Sequence, residues 1–202
     1  MSLKTLENKI LILGDGLLGS ELIKQTNWGY YSRKKDNFDI NKPLPPLFKN
    51  YNIIINCIAN TNTYSNDKDS HWVTNYMFVD KLIDFCNLNN IKLIHISTDY
   101  LYTYSSNNAS ENDIPVHCNN WYGYTKLLAD GLIQLRSNDY CIFRCTHKPT
   151  PFPYKEAWLN QLGNFDYVHV ISNLIIKLIN KLFSYKSHNF KNQVQWQQAL
   201  KL

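Results

Sequence analysis

Short apolar runs alternate with segments of helical periodicity along most of the chain. The runs predict five β-strands. The first is continuously apolar, as in a strand buried on both faces of a parallel sheet, and the third is a further buried strand. The predicted strands cover residues 9–13, 28–31, 51–59, 93–96 and 140–144. Between them, apolar spacing close to 3.6 residues predicts helices over 20–25, 71–87 and 122–135. This alternation predicts an α/β fold with a doubly wound parallel sheet.

The pattern changes after Pro149. The segment 149–153 contains three prolines and excludes regular structure. A helical turn is expected over 157–162, and a strongly amphipathic helix over 168–183. The apolar stripe of that helix either completes the core or forms a dimer face. Residues 184–202 are polar and are expected to be only partly ordered.

Composition narrows the class of protein. The chain has 202 residues, 44% of them hydrophobic, which suits one packed domain with a short appendage. The net charge of +5 comes without a basic block longer than residues 33–35, so nucleic acid is not an expected partner. No apolar stretch reaches the roughly 18 residues that a membrane span needs. Five scattered cysteines without metal-ligand spacing, and no signal peptide, favour reduced thiols in the cytoplasm and no metal site.

The first predicted strand leads directly into the motif Gly14-x-Gly16-x-x-Gly19, and a predicted helix follows. In this context the first glycine permits a tight turn, the second lets backbone approach a pyrophosphate, and the third lets helix and strand pack closely. The helix N-terminus then faces the anion. The alternative is a flexible turn without a ligand.

The residues after the second strand bear on the choice of cofactor. An acidic side chain at this position binds the ribose hydroxyls of NAD, whereas a basic one accommodates the 2′-phosphate of NADP. Ser32 and Arg33 stand here and predict NADPH. NADH stays open, because Asp36 or Asp39 could bind a ribose, and Asp39 and Ile40 could close the adenine side.

Two further polar positions are candidates. Asn75 lies within the predicted helix 71–87 and is either exposed or bridges backbone or water near the cofactor. Tyr122 and Lys126 stand four residues apart and share one helix face, downstream of Thr98 at the end of a strand. A cation near a phenol lowers its pKa, so this pair predicts an acid–base group assisted by the Thr98 hydroxyl.

Several motifs together resemble the extended short-chain dehydrogenases/reductases, and within them the dTDP-4-dehydrorhamnose reductase family of nucleotide-sugar 4-keto reductases. The glycine motif, Asn56–Ala59, Ile96–Leu101, Tyr122–Lys126 and Ile142–Arg144 occur in the order and rough spacing of that family. The resemblance covers about residues 9–147. It implies an NAD(P)-binding Rossmann fold, a nucleotide-sugar substrate and a role in dTDP-rhamnose biosynthesis.

The resemblance also implies roles for individual residues. Tyr122 would protonate the C4 oxygen of the sugar as hydride arrives from NADPH, Lys126 would hold the nicotinamide ribose and lower the pKa of Tyr122, and Thr98 would bind the ketone. The pyrophosphate would lie on Gly14, Gly16, Leu17 and Leu18, and the nucleotide face would be lined by Cys57, Ile58 and Ala59. Asp99, Tyr100 and His147 would contact the sugar.

The chain departs from the family in its C-terminal part. Family members carry a longer C-terminal region that forms much of the sugar pocket, whereas about fifty residues follow Pro149 here. We therefore expect a Rossmann domain over 1–148 and an abbreviated substrate-side extension over 149–202. A second subunit could complete the pocket, which leaves a homodimer open. Some relatives use a metal, but the sequence contains no cluster of acidic ligands.

Two alternatives to a reductase stay open. An epimerase or epimerase/reductase needs a second acid–base pair, for which His117, Cys118 and His147 are the candidates. A non-catalytic NADP(H) sensor would explain the short C-terminal region. It would not explain the joint presence of Thr98, Tyr122 and Lys126.

Overall fold

Five parallel strands form the central sheet of the protein. The computed structural model describes residues 9–102, 109–110, 113, 120–156 and 165–184. The strands follow the spatial order β2-β1-β3-β4-β5. They are β1 (Ile10–Leu13), β2 (Gly29–Tyr31), β3 (Ile53–Asn56), β4 (Lys92–Ser97) and β5 (Tyr140–Arg144). The predicted α/β fold with a doubly wound parallel sheet is therefore confirmed.

Helical crossovers connect these strands. The α-helices are α1 (Leu17–Gln25), α2 (Arg33–Asp36), α3 (Lys68–Trp72), α4 (Phe78–Asn89), α5 (Trp121–Arg136) and α6 (Val168–Ser184). A π-helical segment, Val73–Met77, joins α3 to α4. The helix predicted over 71–87 thus runs without a break from 68 to 89. Short 3-10 helices cover Pro46–Asn50 and Asp99–Tyr102.

Both faces of the sheet are covered by helices. Side chains alternate along β1, so that Ile10 and Ile12 join one hydrophobic cluster and Leu11 and Leu13 join the other. The first cluster includes α1 and α6, and the second includes α4 and α5. Burial of each such side chain contributes about 1.5–3 kcal/mol. The apolar stripe of α6 therefore completes the core, which settles the choice that the sequence left open.

Three local features differ from the prediction. β3 ends at Asn56 rather than at residue 59, because the Asn56 side chain accepts the Ile58 N–H at 3.1 Å and turns the chain. The basic segment after β2 forms the one-turn helix α2. A second sheet of β6 (Thr146–Lys148) and β7 (Phe165–Tyr167), paired in parallel, was not predicted.

Some predictions fall outside the described residues. They are the helical turn over 157–162, the polar segment from 185 onward, and most of the loop over 104–120. Among the described residues, no helix has the length and apolar character that crossing a membrane requires.

Candidate active site

The candidate site lies where the chain reverses its direction of progress across the sheet. From β1 the chain moves outward to β2 and then returns to β3, which pairs with the other side of β1. Ligands of open α/β sheets bind at the carboxyl ends of strands that flank such a switch point. The glycine motif follows β1 here, and Cys57 follows β3.

The three glycines of the motif have three different environments. Gly14 has a φ of +95°, a left-handed conformation that favours glycine, and its N–H donates to Tyr31 O at 3.0 Å. A Cβ on Gly19 would lie 2.1 Å from Gly14 O, so only glycine lets α1 pack against this turn. A Cβ on Gly16 would meet no atom of the described residues within 4 Å. The backbone at Gly16 is therefore open to a ligand.

The N-terminus of α1 fits an anion. Leu17 is exposed and Leu18 is buried at the start of this helix, whose N-cap residue, Gly16, has no side chain to cap the first N–H groups. Together with the open face of Gly16, these groups form a cradle that fits the pyrophosphate of a nicotinamide dinucleotide.

The two residues at the end of β2 differ in exposure. Ser32 is fully buried and caps α2: its hydroxyl accepts the Lys35 N–H at 3.1 Å, and its own N–H donates to Asp36 Oδ2 at 2.9 Å. Arg33 is exposed at the first position of α2. The structure therefore leaves the Arg33 guanidinium accessible at this strand end, while the Ser32 hydroxyl is engaged in capping.

Asp39 and Ile40 follow α2. Asp39 Oδ1 accepts the backbone N–H of Asn41 at 2.9 Å, and this hydrogen bond holds the pKa of the exposed carboxyl below its usual value. Ile40 is half-buried against the second hydrophobic cluster, and its carbonyl accepts from Lys81 Nζ at 2.6 Å.

The residues after β3 lie against the glycine turn. Ile58 Cγ1 would be 2.8 Å from a Cβ on Gly14, and Cys57 Cβ would be 3.5 Å from one on Gly19. Ala59 follows, half-buried. The structure thus brings Cys57 and Ile58 together with the glycine motif.

Asn75 lies in the π-helical segment and is 1% exposed. Its Oδ1 accepts the Asn60 N–H at 2.8 Å, and its Nδ2 donates to Asn60 O at 3.0 Å and to Thr125 Oγ1 at 3.1 Å. The sequence left open whether Asn75 is exposed or bridges other groups, and the structure favours the second interpretation. Asn75 ties the loop after β3 to helix α5.

Thr98 and Tyr122 meet at the end of β4. Thr98 is 1% exposed, its Oγ1 accepts the Tyr100 N–H at 3.2 Å, and it lies near enough to Tyr122 to act on the pKa of that phenol. The rings of Tyr100 and Tyr122 pack edge to face with centroids 5.9 Å apart. The predicted pairing of a strand-end hydroxyl with the phenol is present in the structure.

The pKa of Tyr122 differs from the expectation. Burial raises it to about 12, although the neighbouring Thr98 acts to lower it. The expected net lowering is wrong for this structure, because burial raises the pKa of this phenol more than Thr98 lowers it. A phenol with a raised pKa stays protonated near neutral pH, so Tyr122 carries the proton that a general acid would donate.

Lys126 is buried behind the site, 1% exposed. Its Nζ lies 2.8 Å from His95 Nε2 and donates to Ile96 O at 2.7 Å. Burial lowers the pKa of Lys126 to about 8, while the Asp130 carboxylate acts to raise it. The helical spacing places Lys126 one turn beyond Tyr122, as predicted, but the amine contacts β4.

The three candidate sugar-binding residues occupy different places. Asp99 accepts a hydrogen bond from the Thr146 hydroxyl, and Tyr100 packs on Tyr122. His147 lies half-buried in β6, where burial lowers its pKa and Nδ1 has no hydrogen-bond partner among the residues that the structure describes. In the described part of the chain, no hydrogen bond joins His147 to Thr98, Tyr122 or Lys126.

Sequence reasoning missed the buried polar groups behind the site. Asn56 Nδ2 lies 3.2 Å from His95 Nδ1, which connects β3 to the Lys126 amine. Asp130 accepts from Arg144 Nε at 2.9 Å, and this ion pair ties α5 to β5. A histidine and an asparagine in otherwise apolar strands were the available signal, since buried polar side chains need partners.

No metal centre is visible among the described residues. Within those ranges, no group of three or more His, Cys, Asp or Glu side chains is arranged to hold an ion.

The strand order, the glycine turn and the open helix N-terminus define a Rossmann-type α/β protein. The family described as "RmlD substrate binding domain" matches residues 8–147, more than two thirds of the chain. The chain belongs to this family. The expected family resemblance is therefore confirmed.

Solved structures share the fold at low sequence identity. A dTDP-4-dehydrorhamnose reductase from Bacillus anthracis in complex with NADP has a TM-score of 0.70 and 22% identity, over 86% of this chain and 71% of that one. MoeE5 in complex with UDP-glucose and NAD has a TM-score of 0.70 and 17% identity, over 84% and 71%. A UDP-glucuronic acid 4-epimerase from Bacillus cereus in complex with NAD has a TM-score of 0.68 and 19% identity, over 85% and 72%. No curated protein sequence is detectably similar to the chain.

Proposed function

We propose that the protein is an NADPH-dependent reductase that delivers hydride to C4 of a nucleotide-linked 4-keto-6-deoxy sugar. The contact between Thr98 and Tyr122 carries this proposal. It would supply a protonated phenol at the carboxyl end of β4, two strands from the glycine turn. Membership of the family and the fold shared with nucleotide-sugar reductases and epimerases support it.

The residues present fit a nicotinamide dinucleotide. Gly14, Gly16 and the first N–H groups of α1 would hold the pyrophosphate, and Ile58 would line the adjoining surface. The exposed guanidinium of Arg33 would bind a 2′-phosphate, which favours NADPH, with NADH as a weaker ligand. When bound, the cofactor supplies the hydride.

The protein residues act on the ketone oxygen. Tyr122 donates its phenolic proton to the C4 oxygen as negative charge develops there, and Thr98 holds that oxygen and the phenol in line. Lys126 would donate to the nicotinamide ribose in its ammonium form. Asp99 and Tyr100 lie next to this pair and would bind the hexose, with His147 as a further contact.

We also propose that residues 149–202 form an abbreviated substrate-side extension of the Rossmann unit at 1–148. The packing of α6 in the first hydrophobic cluster supports an extension rather than an independent domain. A cytoplasmic location, a homodimer and a place in dTDP-rhamnose biosynthesis stay predictions.

The test is a fluorescence titration with NADPH and NADH, followed by oxidation of NADPH on addition of a dTDP- or UDP-linked 4-keto-6-deoxyhexose. Tyr122→Phe is expected to lower kcat about 10²- to 10⁴-fold because the proton donor is lost. Tyr124→Phe changes a partly exposed phenol on the same helix and is the matched control, with activity close to wild type.

Three outcomes would redirect the proposal. Unchanged ketone reduction in Tyr122→Phe contradicts the mechanism. Solvent deuterium in recovered sugar without consumption of NADPH indicates an epimerase. Tight binding of NADPH without turnover of any keto-sugar indicates a sensor.

A further inference from the structure

Three buried polar side chains form a row behind the candidate site. Asn56, His95 and Lys126 come from β3, β4 and α5, and each is at most 1% exposed. Asn56 Nδ2 lies 3.2 Å from His95 Nδ1, and His95 Nε2 lies 2.8 Å from Lys126 Nζ. The row begins at Ile58, whose N–H donates to Asn56 Oδ1 at 3.1 Å. Ile58 also adjoins Gly14 in the glycine turn.

The hydrogen bonds of this row have only one consistent direction. Since Asn56 Oδ1 accepts the Ile58 N–H, the Asn56 amide nitrogen faces His95 and donates to Nδ1. His95 Nδ1 must then carry a lone pair, so the proton of the neutral ring lies on Nε2. An Nε2–H can donate only to a lysine that is a neutral amine, because an ammonium group has no lone pair. The remaining amine hydrogens serve Ile96 O at 2.7 Å.

We propose that His95 is a positioning residue that Asn56 locks in the Nε2–H tautomer, so that His95 binds Lys126 only as the neutral amine and releases the ammonium toward the candidate site. The proton balance is simple. Lys126 takes up one proton from solvent, loses its lone pair and leaves His95, while the imidazole stays neutral with its proton on Nε2.

The surroundings of Lys126 support this exchange. Burial acts against the ammonium form, and burial together with Lys126 holds the pKa of His95 well below its ordinary value. The other titratable groups that act on Lys126 are Asp130 on its own helix, Cys57 after β3 and Cys145 after β5. The thiols of Cys57 and Cys145 have pKa values raised to about 12 by burial and are neutral. Asp130 is paired with Arg144.

The exchange has a consequence that rests on the proposed function. Near neutral pH the released ammonium would be available to donate to the nicotinamide ribose, whereas at alkaline pH it would return to His95. The hydrogen-bond row itself does not depend on any activity and is testable in the protein without a ligand.

The test is NMR of the ligand-free protein labelled with ¹⁵N-histidine and ¹³C-lysine. The His95 ring nitrogens report which one carries the proton, and the Lys126 ¹³Cε shift reports the protonation of its amine. We expect Nε2–H in wild type from pH 6 to pH 9, and an inflection of Lys126 at pH about 8. A proton on Nδ1 at any pH in this range would overturn the proposal, whatever the protein's activity.

Asn56→Asp provides the second arm. A carboxylate offers only acceptors, so it should draw the His95 proton to Nδ1, let Nε2 accept from the ammonium, and strengthen proton binding at Lys126 at least tenfold. The added charge alone would strengthen proton binding without moving the ring proton, and that result would also overturn the proposal. Leu93→Val lies on the same face of β4 and is the control, expected to leave both signals unchanged. If Asn56→Asp does not fold, the position of the His95 ring proton in the wild-type protein still decides whether the proposal holds.

Discussion

The two ends of the candidate site are built from different materials. The glycine end is formed by backbone without side chains. Gly14 has a left-handed conformation, Gly16 is open, and Gly19 is too close to its neighbours to carry a side chain. Around Tyr122 and Lys126, buried side chains from three elements hold one another. A single added methyl group can therefore disrupt the packing or the ligand binding of the glycine end. The hydrogen bonds of the polar end depend instead on which groups carry protons and which partner each proton faces.

The largest effect on the glycine end should follow Gly19→Ala. The new Cβ would lie 2.1 Å from Gly14 O, which is backbone and cannot move aside. We expect a loss of about 3 kcal/mol or more in the free energy of unfolding, measured by urea denaturation. Gly131→Ala in α5 is the matched control, since its Cβ would meet no atom of the described ranges within 4 Å, and we expect it to be stabilising by up to about 1 kcal/mol. Equal stability of the two variants would refute the tight packing.

Gly16→Ala should separate folding from binding. Its Cβ would meet no atom within 4 Å in the described part of the chain, and the φ of −66° suits alanine, so the free energy of unfolding should change little. The methyl group would occupy the cradle for the pyrophosphate, which we expect to weaken NADPH binding about 10- to 100-fold. Unaltered binding by fluorescence titration would show that the cofactor does not approach Gly16.

A smaller effect is expected from Arg33→Ser at the end of β2. The loss of one charged hydrogen-bond donor should weaken binding of NADPH about tenfold and leave binding of NADH unchanged. Lys34→Ser, the next exposed position in α2, is the control and should alter neither affinity. An equal loss of affinity for both cofactors in Arg33→Ser would count against recognition of a 2′-phosphate.

The smallest effect concerns the pH dependence of stability at the lysine end. Because the pKa of Lys126 falls from 10.5 to about 8 on folding, the unfolded chain binds more protons between these values, and stability rises with pH. We expect wild type to gain about 1 kcal/mol in the free energy of unfolding between pH 7 and pH 9, relative to Lys126→Met.

The pH window for this measurement ends at 9. Above it, the buried thiols, whose pKa values are raised from 9.0 to about 12, lower the free energy of unfolding of both proteins. A pH-independent difference between wild type and Lys126→Met would mean that the Lys126 amine titrates normally.

Periodicity predicted most of the fold. β5 matches its predicted bounds, and α5 and α6 begin and end within a residue of theirs, because long periodic segments bury one face. Boundaries set by single side chains were missed. Asn56 ends β3 early through its own hydrogen bond, and capping by Ser32 turns a basic stretch into α2. The two-stranded sheet of β6 and β7 was missed because each strand has only three residues.

By itself, the sequence determined the glycine turn, the succession of strands and helices along the chain, and the position of Tyr122 near the end of β4. These depend on local spacing and on the few conformations that glycine and periodic segments allow. Only the tertiary structure decided that α6 completes the core, that Asn75 bridges to Thr125, and that the Lys126 amine contacts His95. The Asn75–Thr125 hydrogen bond joins residues 50 positions apart, and the Lys126–His95 contact joins residues 31 positions apart. Local pattern carries no information about which buried polar groups will meet, since that depends on how the layers stack.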